Sequence, residues 1–127
     1  MFNFRIITLV VTLAVSAAAL AVVPLASAKG GDPVRVRGTC TQSSTAKLKL
    51  SRDNGSIEVE FEVDQNRNGI PWKVTLRRNG TLFASATALT RAPCGSFSLH
   101  RLISGAPASV VAVATRSGER CSAQAGI

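Results

Sequence analysis

The sequence predicts an all-β protein: an immunoglobulin-like antiparallel β-sandwich of about seven or eight strands, preceded by an N-terminal signal-peptide helix. Three observations support this fold class. Apolar and polar residues alternate with a period of two from residue 34 onward, Asn-Gly pairs recur at expected turns, and no helical periodicity follows residue 28. Behind the leader, the chain of 127 residues has room for one such domain.

The clearest element is a β-hairpin over residues 46–63, AKLKLSRDNGSIEVEFEV. If Asn54 and Gly55 form a two-residue turn, counting back from the turn determines which residues face each other. The resulting pairs are Leu50 with Val59, Leu48 with Phe61, Lys49 with Glu60 and Lys47 with Glu62. Apolar partners share one face and opposite charges share the other. A shift of one residue would destroy both matches, so we expect this register.

A second hairpin is predicted around Asn79-Gly80, between the alternating runs 72–76 and 81–88. A three-residue loop with Gly80 as a bulge places Trp72 opposite Ala86. Because small residues then face the indole, we expect Trp72 to lie in the core. In this register Phe83 points to the other face.

The first 28 residues have the pattern of a secretory signal peptide. Arg5 precedes a long apolar run, and residues 26–28 form an Ala-Ser-Ala cleavage signal after Pro24. We expect cleavage after Ala28 and a secreted protein, residues 29–127, that forms a single β-sandwich domain. The alternative is an uncleaved N-terminal helix that anchors the protein in a membrane, because the apolar run approaches the length needed to span a bilayer.

Three cysteines allow one disulfide and leave one thiol over. Cys40 ends the first predicted strand and Cys121 lies in the last, so we expect a bridge between them that ties the chain ends together. Cys94 is then unpaired. A catalytic thiol needs a neighbouring base, and the single histidine, His100, is carried away from Cys94 along a predicted strand. We therefore expect no catalytic residues and no enzyme activity.

Residues 64–69, DQNRNG, match the first half of a calcium-binding loop. The second half does not match, because Thr75 stands at the twelfth position, where the loop needs a glutamate, and Pro71 interrupts it. A turn rich in Asn and Gly explains the segment without an ion. We expect no metal site and no cofactor, with a weak calcium site as the alternative.

The chain carries 15 Lys and Arg against seven Asp and Glu, a net charge of +8. The basic residues do not interleave with aromatic residues, and the protein is expected outside the cell, so we expect no nucleic-acid partner. Lys47 and Lys49 are opposed by glutamates in the first hairpin. Other cations are candidate contacts for an anionic surface, namely Arg35, Arg37, Lys73, Arg77 and Arg78.

Several short segments hold turn, core and cysteine positions: GTC at 38–40, EVEFEVD at 58–64, NGIPW at 68–72 and GERC at 118–121. In these segments the chain resembles uncharacterised small secreted β-sandwich proteins of high-GC Gram-positive (actinobacterial) bacteria. The resemblance implies export and a sandwich fold, and it implies no particular activity.

The leading functional interpretation is a secreted, non-catalytic binding module that attaches to an anionic cell-surface polymer. The alternative is a secreted inhibitor of an extracellular hydrolase, which would present an exposed loop such as Arg91–Gly95 to the enzyme. The partner is accordingly an anionic cell-envelope polymer or an extracellular protein.

Overall fold

The computed structural model describes residues 31–127, and the predicted signal peptide with its cleavage site lies outside the described residues. Within 31–127 the chain forms nine β-strands, and no helix there is long and apolar enough to cross a membrane. The strands are β1 (Val34–Arg37), β2 (Thr39–Cys40), β3 (Thr45–Asp53), β4 (Ser56–Asp64), β5 (Pro71–Arg78), β6 (Thr81–Leu89), β7 (Ser96–Ser104), β8 (Ser109–Arg116) and β9 (Glu119–Gly126).

The strands form two antiparallel sheets. One sheet has four strands in the order β1-β3-β4-β7, and the other has five in the order β2-β9-β8-β5-β6. Alternate side chains of both sheets meet in one buried apolar cluster. The predicted all-β class with two packed antiparallel sheets is therefore confirmed.

The predicted register of the β3–β4 hairpin is confirmed. Leu48 pairs with Phe61, and the other three predicted pairs form as well. The apolar partners are fully buried. Asn54 and Gly55 have φ of 49° and 77°, the positive values that a two-residue turn of this type requires. The Asn-Gly turn and the burial of the apolar side chains thus favour the same pairing of β3 with β4.

The predicted three-residue loop of the second hairpin is wrong. Arg78 pairs with Thr81, so Asn79 and Gly80 alone form the turn. Their φ values are 48° and 86°. Because asparagine and glycine both tolerate positive φ, the turn closes with two residues and needs no third.

The irregularity of this hairpin lies inside the strands instead, where the register shifts between Leu76 and Arg77. Phe83 is the extra residue at this bulge, and it packs half-buried against the core rather than pointing away from it. Trp72 consequently pairs with Ala88 instead of Ala86, and its indole is fully buried. A small residue still faces the indole, as predicted.

Gly38 lets the chain pass from β1 in the four-stranded sheet to β2 in the five-stranded sheet. Its N–H donates a hydrogen bond to the Ala46 carbonyl at 2.9 Å. A Cβ at Gly38 would lie 2.5 Å from the Ser122 carbonyl oxygen and 3.0 Å from the Ala46 Cβ. Only glycine fits this crossing without movement of β9.

The predicted Cys40–Cys121 disulfide is confirmed. The two cysteines are direct partners on β2 and β9, and 81 positions separate them in sequence. Closing a loop of that length stabilises the fold by about 4 kcal/mol, mainly through the lost freedom of the unfolded chain. The bridge also holds the two-residue strand β2 to its sheet.

We expect Gly38→Ala to lower the free energy of unfolding by about 2 kcal/mol, because the added methyl group must displace the backbone of β9. The matched control is Gly126→Ala in β9, where the nearest atom to the new Cβ is 3.8 Å away. That change should cost less than about 0.5 kcal/mol. Urea denaturation measures both, and equal stability of the two variants would contradict the steric argument.

Candidate functional site

Polar and charged side chains cover the outer face of the four-stranded sheet, because they alternate with the buried residues of its strands. The strand register arranges them in rows across the sheet. The two central rows are Arg37-Lys47-Glu62-Ser98 and Arg35-Lys49-Glu60-His100. The charge therefore changes sign across this face, from cations on β1 and β3 to carboxylates on β4.

The four cations Arg35, Arg37, Lys47 and Lys49 form what we name the cationic cluster. Arg35 lies directly opposite Lys49, and Arg37 lies directly opposite Lys47. The four cations line a surface cavity of about 450 Å³, which extends to Glu60 and Glu62. Like charges directly opposite each other in neighbouring strands destabilise a sheet, so fold stability does not account for this arrangement.

The position of the two arginines follows from the sequence of β1, Val-Arg-Val-Arg. Val34 and Val36 are half-buried and pack against the core, which turns Arg35 and Arg37 outward. Among the strands of residues 31–127, β1 lies at the edge of its sheet, so the cluster is bordered by β3 on one side only.

The other predicted contacts lie elsewhere. Lys73 and Arg77 project from β5 on the outer face of the five-stranded sheet, so the structure does not bring them together with the cationic cluster. Arg78 makes hydrogen bonds to the Ser104 carbonyl at 3.0 Å, to the Ser104 hydroxyl at 2.8 Å and to the Ala106 carbonyl at 2.5 Å. Its guanidinium thus holds the loop between β7 and β8.

Sequence reasoning missed two members of the cluster, Lys47 and Lys49. In the sequence both appear neutralised by the opposing glutamates of β4, and the register confirms that these glutamates are their partners. On their other side, however, they face the arginines of β1. The sequence shows the two alternating patterns, VRVR and KLKL. It does not show that their strands are neighbours, and this pairing is what brings the four cations together.

The loop Arg91–Gly95 rests on the segment 65–70 at one end of the sandwich. The Gln65 N–H donates to the Gly95 carbonyl at 3.0 Å, and a Cβ at Gly95 would lie 2.2 Å from the Arg67 nitrogen. Close packing of two backbones therefore requires this glycine. Cys94 in the same loop is exposed and free.

Thr90 joins the same two segments from the inside. Its hydroxyl donates to the Arg67 carbonyl at 2.5 Å and accepts the Ile70 N–H at 2.9 Å. Its side chain is buried, so these bonds are shielded from water. The exposed part of Arg91–Gly95 is thus presented on a well-anchored base.

The segment 64–69 that partly matches a calcium loop forms a tight turn. Asn66 and Gly69 have φ of 58° and 74°, and the Asp64 carboxylate accepts the Asn66 N–H at 3.0 Å. Backbone geometry accordingly explains Asn66 and Gly69 in this segment.

Glu119 is a buried carboxylate near the disulfide. It accepts hydrogen bonds from the Ser44 N–H at 3.1 Å, from the Ser44 hydroxyl at 2.7 Å and from Arg116 Nη2 at 3.0 Å. Burial alone would raise the pKa of Glu119, but these hydrogen bonds and the charge of Arg116 outweigh it, so the pKa lies below its ordinary value. The Arg116 guanidinium also lies 5.5 Å from the Trp72 ring centroid.

Comparison of the chain with protein-family models, with curated proteins and with solved structures finds no match. The site is therefore interpreted from its own geometry and charge.

We expect Glu119→Gln to lower the free energy of unfolding near neutral pH by about 1–3 kcal/mol, because the charge-assisted bonds from Ser44 and Arg116 weaken. Since the folded-state pKa of Glu119 is lowered, the wild-type carboxylate stabilises the fold above its unfolded pKa. That contribution disappears as the pH falls through the folded value.

Chemical denaturation of both proteins between pH 7 and about 3 measures this difference. The stabilities should converge toward the acid end. A difference that stays constant over the whole range would show that lost packing, rather than lost charge, causes the effect.

Proposed function

We propose that this protein is a secreted, non-catalytic binding module that attaches to an anionic cell-surface polymer through the cationic cluster. The opposition of like charges at Arg35–Lys49 and Arg37–Lys47 carries the proposal. Such pairs cost stability in the free protein. An anionic group seated between them removes the repulsion and gains attraction to both partners.

The geometry of the cluster favours a chain that runs along β1 and β3. Outward residues repeat about every 6.7 Å along a strand, and neighbouring strands lie about 5 Å apart. Across the sheet, an anionic polymer would meet Glu60 and Glu62 directly after the lysines. Along β1 and β3 it meets the four cations and no carboxylate between them, and arginine can bind phosphate or carboxylate groups with two parallel hydrogen bonds.

Export is part of this proposal. The Cys40–Cys121 bridge is typical of proteins outside the reducing cytosol. The leader pattern and the resemblance to small secreted proteins of actinobacteria support the same compartment. Without the leader, which contains Arg5, the exported protein would carry 14 Lys and Arg against seven Asp and Glu, and this net charge of +7 would draw it toward an anionic surface before any specific contact forms.

The proposed fold is immunoglobulin-like. If strands β3 to β9 are lettered A, B, C, C′, E, F and G, the sheet orders become A-B-E and G-F-C-C′. This order is related to that of immunoglobulin-type sandwiches, with β1 added beside A and β2 added beside G. Many cell-surface domains share this sandwich architecture, which is compatible with a binding role.

The placement of His100 supports a non-catalytic role. Its ring nitrogens lie 3.5 Å from a Glu58 oxygen and 4.0 Å from a Glu60 oxygen, in the middle of β7. Cys94 belongs to the loop that precedes this strand. The histidine is thus directed toward carboxylates, and it is not positioned as the base that a thiol nucleophile needs.

One observation favours the alternative function, a protein inhibitor of an extracellular hydrolase. Residues 91–94 of this loop are exposed, Gly95 is buried against segment 65–70, and the buried Thr90 anchors the base of the loop. A loop held in one conformation loses little entropy on binding, which is what a substrate-like inhibitor loop requires.

The polymer proposal is tested by chromatography on immobilised polyphosphate with a rising salt gradient. The double variant Arg35→Gln/Arg37→Gln should bind about tenfold more weakly at low salt, because two phosphate contacts are lost. Lys73→Gln/Arg77→Gln removes the same charge from the other sheet and should elute close to the wild type. Equal loss in both double variants would show that net charge alone drives retention.

The inhibitor alternative has a separate test. If it holds, the protein inhibits a member of a panel of extracellular proteases at a 1:1 ratio, and inhibition persists at a few hundred millimolar salt, where charge steering is screened. Arg91→Ala should then weaken inhibition while Arg35→Gln/Arg37→Gln leaves it intact. Absence of inhibition across the panel would count against this alternative.

A further inference from the structure

A second group of side chains lies on the outer face of the four-stranded sheet, beyond the cationic cluster. Glu58 and Glu60 are alternate residues of β4 and point to the same side, because the apolar residues between them face the core. His100 of β7 is the direct partner of Glu60. One donor atom from each of the three lies within 4.8 Å of the other two.

Both ring nitrogens of the His100 imidazole face carboxylate oxygens. Nδ1 lies 3.5 Å from Glu58 Oε1, and Nε2 lies 4.0 Å from Glu60 Oε1. A neutral imidazole carries one N–H, so one nitrogen presents its lone pair toward a carboxylate oxygen. The two carboxylates also repel each other along the strand. A cation that accepts lone pairs from nitrogen and oxygen relieves both contacts.

We infer that Glu58, Glu60 and His100 bind a divalent first-row transition-metal cation. Imidazole nitrogen with carboxylate oxygen is a donor set that suits Zn²⁺, Cu²⁺ or Ni²⁺, whereas Ca²⁺ and Mg²⁺ prefer oxygen alone. Three protein ligands leave a coordination position for water. This inference does not depend on the proposed attachment to a polymer.

The distances are compatible with such an ion. Bonds of about 2.1 Å in tetrahedral geometry place donor atoms about 3.4 Å apart. The Nδ1–Glu58 separation of 3.5 Å already meets that value. An imidazole binds one ion through one nitrogen only, so with Nδ1 as the ligand the Glu60 carboxylate, which faces Nε2, must move toward the Nδ1 side. Its partly exposed side chain permits this movement, and one donor atom from each residue already lies within 4.8 Å of the others. Lys49 faces Glu60 from the opposite side and competes with the ion for that carboxylate.

The test uses Zn²⁺ alone as the probe and the ring signals of His100 in proton NMR as the readout. His100 is the single histidine of the chain, so its ring signals need no further assignment. Cys94→Ser should be the background, because the exposed free thiol is a competing zinc ligand. The protein is expressed from the full-length sequence and purified in the form that remains after any processing by the cell. Zn²⁺ should shift the ring signals saturably with 1:1 stoichiometry, and Ca²⁺ should leave them unchanged.

Matched variants distinguish zinc binding by all three residues from zinc binding by His100 alone. Glu58→Gln and Glu60→Gln should each weaken zinc binding by about tenfold. Glu62→Gln is the control, since it lies on the same face of the same strand but pairs with Ser98, and it should change affinity less than about twofold. Ring signals that stay unchanged up to about 1 mM Zn²⁺, or equal affinity in all three variants, would overturn the inference.

Discussion

In the β3–β4 hairpin, one backbone register determines both faces of a sheet. It buries Leu48 against Phe61 while it aligns Lys49 with Glu60 on the outer side. The strands β1 and β7 then add to either edge of this hairpin, and their own outward residues join the same rows. A slip of one position would bring lysine and glutamate into the core, where unpaired charge is very costly. The charged rows of the outer face are therefore a consequence of how the core is filled.

The chain first passes from one sheet to the other between β1 and β2, and three different features stabilise this passage. Gly38 allows close backbone approach, the Cys40–Cys121 bridge fastens β2, and Glu119 accepts hydrogen bonds from the turn at Ser44. All three connect residues 38–44 to β9. A domain of this size buries a limited fraction of its surface, so such local fastening supplements a modest core.

Much of this architecture could be predicted because its determinants are local. The Asn54-Gly55 turn and the alternation around it specify the first hairpin without any other part of the chain. The register of the second hairpin is less local, because the extra residue at its bulge, Phe83, packs against a core built from distant parts of the chain. The same limit applies to the cationic cluster. Arg35 could be assigned to an outward position, but the order of strands in a sheet is a non-local property that alternation does not encode.

Arg35 and Arg37 stand on the rim of the four-stranded sheet, and within residues 31–127 no further strand pairs with the outer edge of β1. Protein sheets with such open rims tend to dock on one another, and positive charge at the rim opposes this stacking. Arg35 and Arg37 place two such charges at this rim, and the repulsion between them on like molecules adds to that of the net positive charge.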